Sequence, residues 1–469
     1  MKTSSPPILC LWLSTTVSEI PTFPRIAEAR GSPRPVEYGK LASMRQQLAP
    51  SRRDFGKLGL AMAGALWAPA VLAGGSAKVV IVGGGPGGIT VARELAGRYG
   101  GLDVTLIEAN QQYVTPFFSN RYVAELWPLE KITFTYDRVA AVAGIRLVRD
   151  RAVAIDVDRR QVRLKGGETL AYDRLVVATG ADLIYDAIDG YGPVSETTLP
   201  HTYHGAGAGQ LTLLRDQLQA MDDGGLVAVT VPKRPYPCHP APYERASLIA
   251  EWLQRHKPAS KVLVLDSNET FPQMEIMLDA WERDFGDLIE WLPGDFGGAV
   301  EAVDVANRAL ITADERFLPD VANVIPPQRA GWLATQTGLA DASGWCPIDP
   351  VGLESMLAPN IHVLGDACDP GDMPRSAYGA FSQAQVCATA VGNAFGGVSL
   401  MSPEYSNSCY FLLRRNSALV IGGRYQPREG RITGIEGYGS AVDEDDAARA
   451  ATADAADRWY DDLTKALFG

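Results

Sequence analysis

The sequence predicts an α/β protein in which two βαβ units precede a smaller α+β domain. The first unit begins with the apolar, β-branched run 78–83, continues through a helix and ends in a second strand at 104–107. The second unit has strands at 226–231 and 261–265 around a helix that starts near Tyr243. This alternation is typical of parallel sheets covered by helices. We therefore predict two Rossmann-like dinucleotide-binding domains.

The turn after the first strand has the glycine spacing of a dinucleotide site. Gly83, Gly85 and Gly88 satisfy G-x-G-x-x-G, and Glu108 ends the second strand 20 residues after Gly88. The glycines permit a tight turn and close approach of the backbone to a pyrophosphate, which the helix N-terminus stabilises. An acidic side chain at this spacing accepts hydrogen bonds from an adenosine ribose. A purely structural glycine turn is the alternative, and the ordered strand, helix, strand and glutamate favour the dinucleotide site.

The corresponding turn of the second unit has a different composition. Residues 232–242 contain five prolines and no glycine. Proline has no N–H and a fixed φ, so this loop is unsuited to presenting backbone amides to a pyrophosphate. We therefore do not expect NAD(P)H to bind there, and we interpret the loop as a rigid mount for Cys238.

Composition excludes several classes of function. The 469 residues indicate two to three domains, and the net charge of −12 argues against nucleic-acid binding. The chain has no C-x-x-C or C-x-x-C-H, so neither a thioredoxin motif nor covalent haem is predicted. Its five histidines suggest no metal site. Cys346, Cys368 and Cys387 are interpreted as small buried hydrophobic residues.

Two further segments resemble the two-dinucleotide-binding flavoproteins, which have a glutathione-reductase-like fold. One is the buried strand 175–180, which ends in Ala-Thr-Gly at Gly180, and the other is the strand 361–367, which ends in Gly-Asp. The resemblance implies FAD as the dinucleotide, with Gly180 near it and Asp366 holding its ribityl or pyrophosphate part. A helix N-cap is the alternative role for Asp366.

Nearly everything after residue 77 resembles the flavoprotein subunit of flavocytochrome c sulfide dehydrogenase. The matching segments are Leu199–His201, Cys238–Ile249, Asn407–Tyr410 and Trp459-Tyr460. The resemblance implies that Cys238 and Cys409 form a redox disulfide beside the isoalloxazine, that Glu244 is an acid/base and that Trp459 lies by the flavin. It further implies electron transfer from sulfide, through FAD, to a separate c-type cytochrome subunit.

The residues alone leave simpler roles open. Each of the two cysteines could be a structural or free thiol, and Glu244 could be a carboxylate that the dipole at a helix N-terminus favours. One departure from the family pattern is informative, because family members often carry FAD on a cysteine where this chain has Pro116. Proline has no nucleophile, so we predict non-covalent FAD.

The expected domain organisation has four parts. They are a twin-arginine signal region at 1–73, an FAD domain at 77–190 and 333–400, a second Rossmann-like domain at 191–332 without a nucleotide glycine motif, and a C-terminal domain at 401–469. We expect the last of these to carry Cys409 over the flavin.

The N-terminal region predicts export to the periplasm. Residues 51–57 match the twin-arginine pattern, an apolar stretch follows at 58–72, and Val71-Leu72-Ala73 offers a cleavage site. Because residues 1–43 are Pro-rich and weakly patterned, we expect translation to start at Met44. An oxidising compartment suits a persistent disulfide. No apolar run after the signal is long enough to span a bilayer.

Three functions remain open from sequence. The first is a periplasmic sulfide dehydrogenase flavoprotein that reduces a cytochrome c. The second is a sulfide:quinone oxidoreductase, which would need an amphipathic membrane helix, whereas 447–467 carries its charges too evenly. The third is a non-catalytic flavin-binding partner that reactivates another sulfur-oxidising protein.

Overall fold

The computed structural model describes residues 76–202, 207–396 and 402–469. The predicted signal region, with its twin arginines and Met44, lies outside the described residues. Export and the translation start therefore stay predictions.

The first part of the described chain contains ten strands and three helices. In chain order they are β1 (Ala77–Val82), α1 (Pro86–Arg98), β2 (Leu102–Ile107), β3 (Gln112–Val114), α2 (Asn120–Val123), β4 (Thr133–Thr135), α3 (Asp137–Ala140), β5 (Ile145–Val148), β6 (Ala152–Asp156), β7 (Gln161–Leu164), β8 (Thr169–Ala171), β9 (Arg174–Val177) and β10 (Ala181–Leu183).

The middle of the chain supplies a second group of elements. They are α4 (Ala208–Ala220), β11 (Leu226–Val231), α5 (Ala241–His256), β12 (Lys261–Asp266), α6 (Met274–Phe285), β13 (Ile289–Leu292), β14 (Val300–Asp304), β15 (Ala309–Thr312), β16 (Arg316–Phe317), β17 (Val321–Asn323) and β18 (Gln328–Ala330).

The last third of the chain contributes a third group. Its elements are α7 (Trp332–Gln336), β19 (Ile361–Val363), α8 (Ala377–Gly396), β20 (Tyr405–Arg414), β21 (Ser417–Arg428), β22 (Arg431–Gly439) and α9 (Asp446–Phe468).

A five-stranded parallel sheet with strand order β19-β9-β1-β2-β5 forms the first Rossmann-like unit. The last four residues of its central strand β1, Val79 to Val82, are apolar and buried, as a strand covered on both faces requires. The last strand in chain order, β19, joins this sheet from beyond the second unit and pairs with β9. Helices α1 and α8 pack against each other.

The second unit is a four-stranded parallel sheet with order β13-β12-β11-β17. Its helix α5 follows β11 and packs on α6 and β12. Strand β10 follows the first unit and strand β18 follows the second, and the two pair in antiparallel fashion. The segment that leaves the first unit therefore lies beside the segment that returns to it.

The C-terminal domain is an antiparallel three-stranded sheet, β20-β21-β22, followed by the long helix α9. Strand β20 packs on both α8 and α5, so it contacts one helix from each Rossmann-like unit. The predicted fold class, two Rossmann-like domains plus a smaller α+β domain, is confirmed. Within the described part of the chain, no helix combines the length and the apolar character needed to cross a membrane.

Candidate functional site

A cavity of about 410 Å³ lies where the two parallel sheets and the C-terminal sheet meet. Pockets of this size commonly hold cofactors and small ligands. The predicted site residues in its wall are Gly83, Gly85, Glu108, Gly180, Cys238, Glu244, Asp366, Cys409 and Trp459, together with Pro116. We call it the central cavity. Gly88 lies behind this wall, in the first turns of α1.

The glycine turn after β1 has two structural glycines and one that faces open space. Gly83 has φ +106°, and a Cβ there would collide with the carbonyl oxygen of Ala178. A Cβ on Gly88 would collide with the carbonyl oxygen of Gly83. Apart from Gly85 itself and its two chain neighbours, no atom of the described residues lies within 4 Å of a Cβ built on Gly85. The N-terminus of α1 therefore meets the central cavity at Gly85, where a pyrophosphate fits.

Glu108 ends β2 at the edge of the same cavity. Its carboxylate accepts hydrogen bonds from the backbone amides of Gly84 at 2.7 Å and Asn110 at 2.6 Å. Each carboxylate oxygen has a further lone pair, so these bonds fix the side chain and leave acceptor capacity for a ribose hydroxyl. Tyr136 supports the turn, because its hydroxyl donates to the carbonyl oxygen of Gly84 at 3.0 Å.

Two buried polar atoms in the cavity wall fit a bound dinucleotide. The Thr179 hydroxyl and the Trp459 indole N–H have no hydrogen-bond partner among the described residues. Buried polar groups are normally paired, so these atoms suit a ligand with polar edges. Asp366 also lines the cavity and lies within the short 3₁₀ turn Gly365–Ala367. The helix N-cap alternative for Asp366 is wrong, since the next helix starts at Ala377.

Cys238 lies in the proline-rich loop between β11 and α5, with the left-handed φ of +54°. Non-glycine residues rarely adopt this conformation, and the surrounding structure must stabilise it. The Cys238 N–H donates to the carbonyl oxygen of Arg375 at 2.9 Å, and its own carbonyl accepts from Ala241 at 2.9 Å. Burial raises the pKa of the Cys238 thiol well above its usual range, and nearby Cys409 and Glu244 act in the same direction.

Cys409 lies on β20 opposite Ile421 of β21 and lines the same cavity. Burial raises the pKa of its thiol, whereas hydrogen bonding that involves Asn407 and Ser376 lowers it. The chain thus brings together two cysteines that are 171 positions apart in sequence (409 − 238), and their charges interact.

Glu244 lies in the first turn of α5 and is only 6% exposed. One carboxylate oxygen accepts from the backbone N–H of Leu412 at 2.8 Å, and the other accepts from the Asn120 amide at 2.7 Å. Burial raises the pKa of Glu244, and these two hydrogen bonds lower it. The carboxylate therefore joins α5 to β20 and α2, in addition to any interaction with its own helix dipole.

An aromatic wall surrounds Trp459 of α9. The Phe118 ring stacks on it with centroids 5.5 Å apart, and Phe117 meets it edge-on at 6.0 Å. Tyr378 and Tyr410 each lie 6.0 Å from it by centroid. Planar, apolar side chains of this kind suit the face of an extended ring system.

The second Rossmann-like unit is filled by its own side chains where a nucleotide would bind. Asp266 ends β12, and its carboxylate accepts from the Tyr243 hydroxyl at 2.6 Å and the Trp291 indole at 3.0 Å. Phe271 stacks on Tyr243 with centroids 4.0 Å apart. The acidic side chain at the end of the second strand is thus buried, and an aromatic cluster covers it.

Several residues of the site were not among those predicted. Asn407 belongs to a segment that resembles the family, yet the pattern gives it no role, and the sequence assigns no role to Asn120 either. Ser376 could have been recognised as an N-cap, because it directly precedes the apolar helix α8. No sequence signal marks Arg375, whose guanidinium lies in the cavity wall and over the Trp345 ring at 3.7 Å.

Comparisons with known families match most of the described chain. Residues 77–219 match the family described as pyridine nucleotide-disulphide oxidoreductase. Residues 211–326 match the central part of the sulfide dehydrogenase (flavocytochrome c) flavoprotein chain, and residues 401–468 match the flavin-binding part of flavocytochrome c sulphide dehydrogenase.

Individual relatives are more distant. The mitochondrial sulfide:quinone oxidoreductases of Mus musculus and Dictyostelium discoideum are 23% and 26% identical over 314 residues, which cover 62% of this chain. The chain spans 65% of the length of each of these relatives.

A solved structure shares the fold. The sulfide:quinone oxidoreductase from Aquifex aeolicus matches with a TM-score of 0.65 and 16% identity, covering 83% of this chain and 92% of that one. With its first dinucleotide-binding domain, its central part and its C-terminal part matched in order, the chain belongs to the flavocytochrome c sulfide dehydrogenase flavoprotein family, within the pyridine nucleotide-disulphide oxidoreductase superfamily.

Proposed function

We propose that the chain is a FAD-dependent sulfide dehydrogenase that works in the periplasm and passes electrons to a c-type cytochrome. The observation that carries this proposal is the convergence of Cys238 and Cys409 on the same cavity as the glycine turn of β1. The family supplies the expectation that sulfide is the substrate and that a cytochrome is the partner.

The cysteine pair would carry the first chemical step. Hydrosulfide attacks one sulfur of a Cys238–Cys409 disulfide, the sulfur–sulfur bond breaks, and the other cysteine leaves as a thiolate. A new sulfur–sulfur bond forms in the same step, which gives a persulfide on the attacked cysteine. The two electrons of sulfide oxidation then reside in the persulfide and thiolate.

Other residues of the cavity would hold the cofactor and move protons. Gly83, Gly85 and Glu108 would bind and orient the adenosine diphosphate half of FAD. Asp366 would hold the ribityl or pyrophosphate part of FAD. FAD, when bound, supplies a two-electron acceptor beside the cysteine pair. Glu244 accepts or returns the proton of hydrosulfide, a role that its raised pKa favours.

Anaerobic addition of sulfide to the purified protein tests this function. We expect the absorbance band of oxidised flavin to bleach in the wild type and to persist in Cys238→Ser. Cys387→Ser is a matched control, because Cys387 is buried in α8 outside the cavity wall and a serine there can bond a carbonyl one turn earlier. Persistence of the band in the wild type would refute sulfide as the reductant.

A quinone is the second candidate acceptor, because the first curated relatives bear the name sulfide:quinone oxidoreductase. Steady-state turnover with sulfide separates the two acceptors. We expect reduction of cytochrome c and no reduction of decylubiquinone. The reverse result would assign the quinone activity. Bleaching by sulfide without turnover on either acceptor would favour a non-catalytic partner role.

A further inference from the structure

Cys409 has polar neighbours that the proposed function does not yet use. The side chain of Asn407 lies two residues before it on β20, and the Asn407 amide nitrogen donates toward the Cys409 sulfur at 3.5 Å. Asn407 is only 2% exposed, so this contact lies in a setting where a polar pair is strong. The contact places a hydrogen-bond donor directly at one sulfur of the pair.

The Asn407 amide is oriented by a second contact. The hydroxyl of Ser376 donates to the Asn407 side-chain oxygen at 2.5 Å. That oxygen can only accept, so the bond fixes the amide with its nitrogen toward Cys409. The other rotamer would place the NH₂ group against the Ser376 hydroxyl.

Ser376 is in turn held by helix α8. It is the N-cap of this 20-residue helix, because its hydroxyl oxygen accepts from the backbone N–H of Gly379 at 2.9 Å. The three bonds run in one direction, from the Gly379 amide to Ser376, from Ser376 to Asn407 and from Asn407 to Cys409. Bonds aligned in this way polarise one another, and the first of them starts at the positive end of the α8 dipole.

We propose that Ser376 and Asn407 are positioning residues whose hydrogen bonds stabilise the thiolate of Cys409 relative to its thiol in the reduced cysteine pair, against the opposing effect of burial. Only the catalytic role of this thiolate rests on the proposed function; the effect of the hydrogen bonds on Cys409 does not. The thiolate accepts from the Asn407 amide, whereas a protonated Cys409 has only the longer contact of 3.8 Å to the Asn407 oxygen, which Ser376 already uses. The hydrogen-bond chain therefore favours the charged sulfur over the neutral one.

The charged groups around Cys409 do not reproduce this effect. Asp366 raises the pKa of Cys409, in addition to the larger effect of burial. The charge of Cys409 in turn contributes to the raised pKa of Cys238, after burial. On the neighbouring strands, burial raises the pKa of Tyr425 to about 12 and also raises that of Tyr438, so both stay neutral where thiols titrate. The Ser376 and Asn407 bonds are thus the contributions that lower the pKa of Cys409.

The pH dependence of alkylation tests the inference without sulfide or an electron acceptor. The holoprotein is reduced anaerobically and treated with iodoacetamide at a series of pH values, and Cys409 and Cys238 are quantified in the same digest by mass spectrometry. Alkylation follows the thiolate fraction. We expect Ser376→Ala and Asn407→Leu to move the pH midpoint of Cys409 alkylation upward by about one pH unit. Near neutral pH, this shift corresponds to alkylation of Cys409 that is about tenfold slower.

Two variants separate the hydrogen-bond chain from a loss of structure. Ser376→Thr keeps both the hydroxyl and the N-cap, so it should restore the wild-type midpoint. Ser382→Ala removes another buried serine of α8 that bonds β20, at the N–H of Ser406 and 3.0 Å, and should leave the midpoint unchanged. Equal midpoints in wild type, Ser376→Ala and Asn407→Leu would overturn the inference, and so would equal shifts at Cys238 and Cys409.

Discussion

Glu244 is the buried carboxyl group of the site whose protonation has a direct consequence for stability. Both of its oxygens accept hydrogen bonds, from Leu412 and from Asn120. Burial nevertheless raises the pKa of Glu244 above its ordinary value of 4.5. Between pH 4.5 and the higher folded-state pKa, the folded protein therefore keeps a proton on Glu244 that the unfolded chain has released.

The pH dependence of thermal stability should report this proton. Because the folded-state pKa is raised, the stability that Glu244 contributes is fully present below pH 4.5 and is lost as the pH rises through the folded-state pKa. We expect the Tm of the wild type minus the Tm of Glu244→Gln to fall as the pH rises from 4.5 through the folded-state pKa of Glu244. Scanning calorimetry of the holoprotein measures both Tm values. A Tm difference that is constant across the window would contradict the prediction.

Because residue 116 is a proline, we expect FAD to be released when the protein is denatured. This residue lines the central cavity but offers no nucleophile for a covalent bond. After acid precipitation we expect essentially all of the flavin in the supernatant and none on the pellet, measured by absorbance. Flavin that stays on the precipitated chain would show a covalent link at another residue.

Single residues of the site were only partly predictable from the sequence. Cys238, Cys409 and Glu244 came from resemblance to a family, because no local pattern relates residues so far apart. Ser376 and Asn407 could not be paired in advance, since their 2.5 Å contact depends on how β20 lies on α8. The strained φ of Cys238 is likewise set by tertiary contacts, here the bond to the Arg375 carbonyl.

At the scale of elements, two glycines of the turn between β1 and α1 have different roles, one in folding and one in cofactor binding. Gly88→Ala places a Cβ against the Gly83 carbonyl, whereas Gly85→Ala meets only open space. We expect Gly88→Ala to lower both the Tm of the apoprotein and the flavin content. Gly85→Ala should leave the apoprotein Tm unchanged and reduce the flavin-to-protein absorbance ratio. A large Tm loss in the apoprotein of Gly85→Ala would contradict this division.

The predicted elements were right in type and shifted at their ends. The helix predicted to start near Tyr243 begins at Ala241, because Pro242 fits the first turn, where its missing N–H has no cost. The helix predicted between the first two strands likewise begins at a proline, Pro86. An acidic run at 443–446 precedes α9, and Asp445 caps this helix by accepting from the backbone N–H of Ala448 at 2.8 Å.

For the whole molecule, the site is a product of domain arrangement. The central cavity needs the edges of two parallel sheets and the face of the C-terminal sheet. Periodicity and turn signals predict each of these parts by itself, but they contain no information on how the parts pack. Family resemblance supplied that arrangement, and the comparison with solved structures shows the same fold.

Export is the prediction that concerns the whole chain. Replacing Arg52 and Arg53 by lysine should retain the protein in the cytoplasm, because the twin-arginine pathway recognises that pair. The measurement is cell fractionation followed by immunoblotting, with Arg45→Lys as a matched control that should not change the distribution. Equal periplasmic amounts of the double variant and the wild type would contradict the predicted route.

The carboxylate of Glu244 joins the helix that follows Cys238 to the strand that carries Cys409, through a bond to Leu412 three residues beyond the cysteine. This link contains no sulfur, so it would persist when the proposed Cys238–Cys409 disulfide opens. Each thiol would then meet its partner at an effective concentration far above that of any dissolved thiol. Re-closure of the proposed disulfide would therefore be an intramolecular reaction, and we expect small thiols in the surroundings to compete poorly for either cysteine.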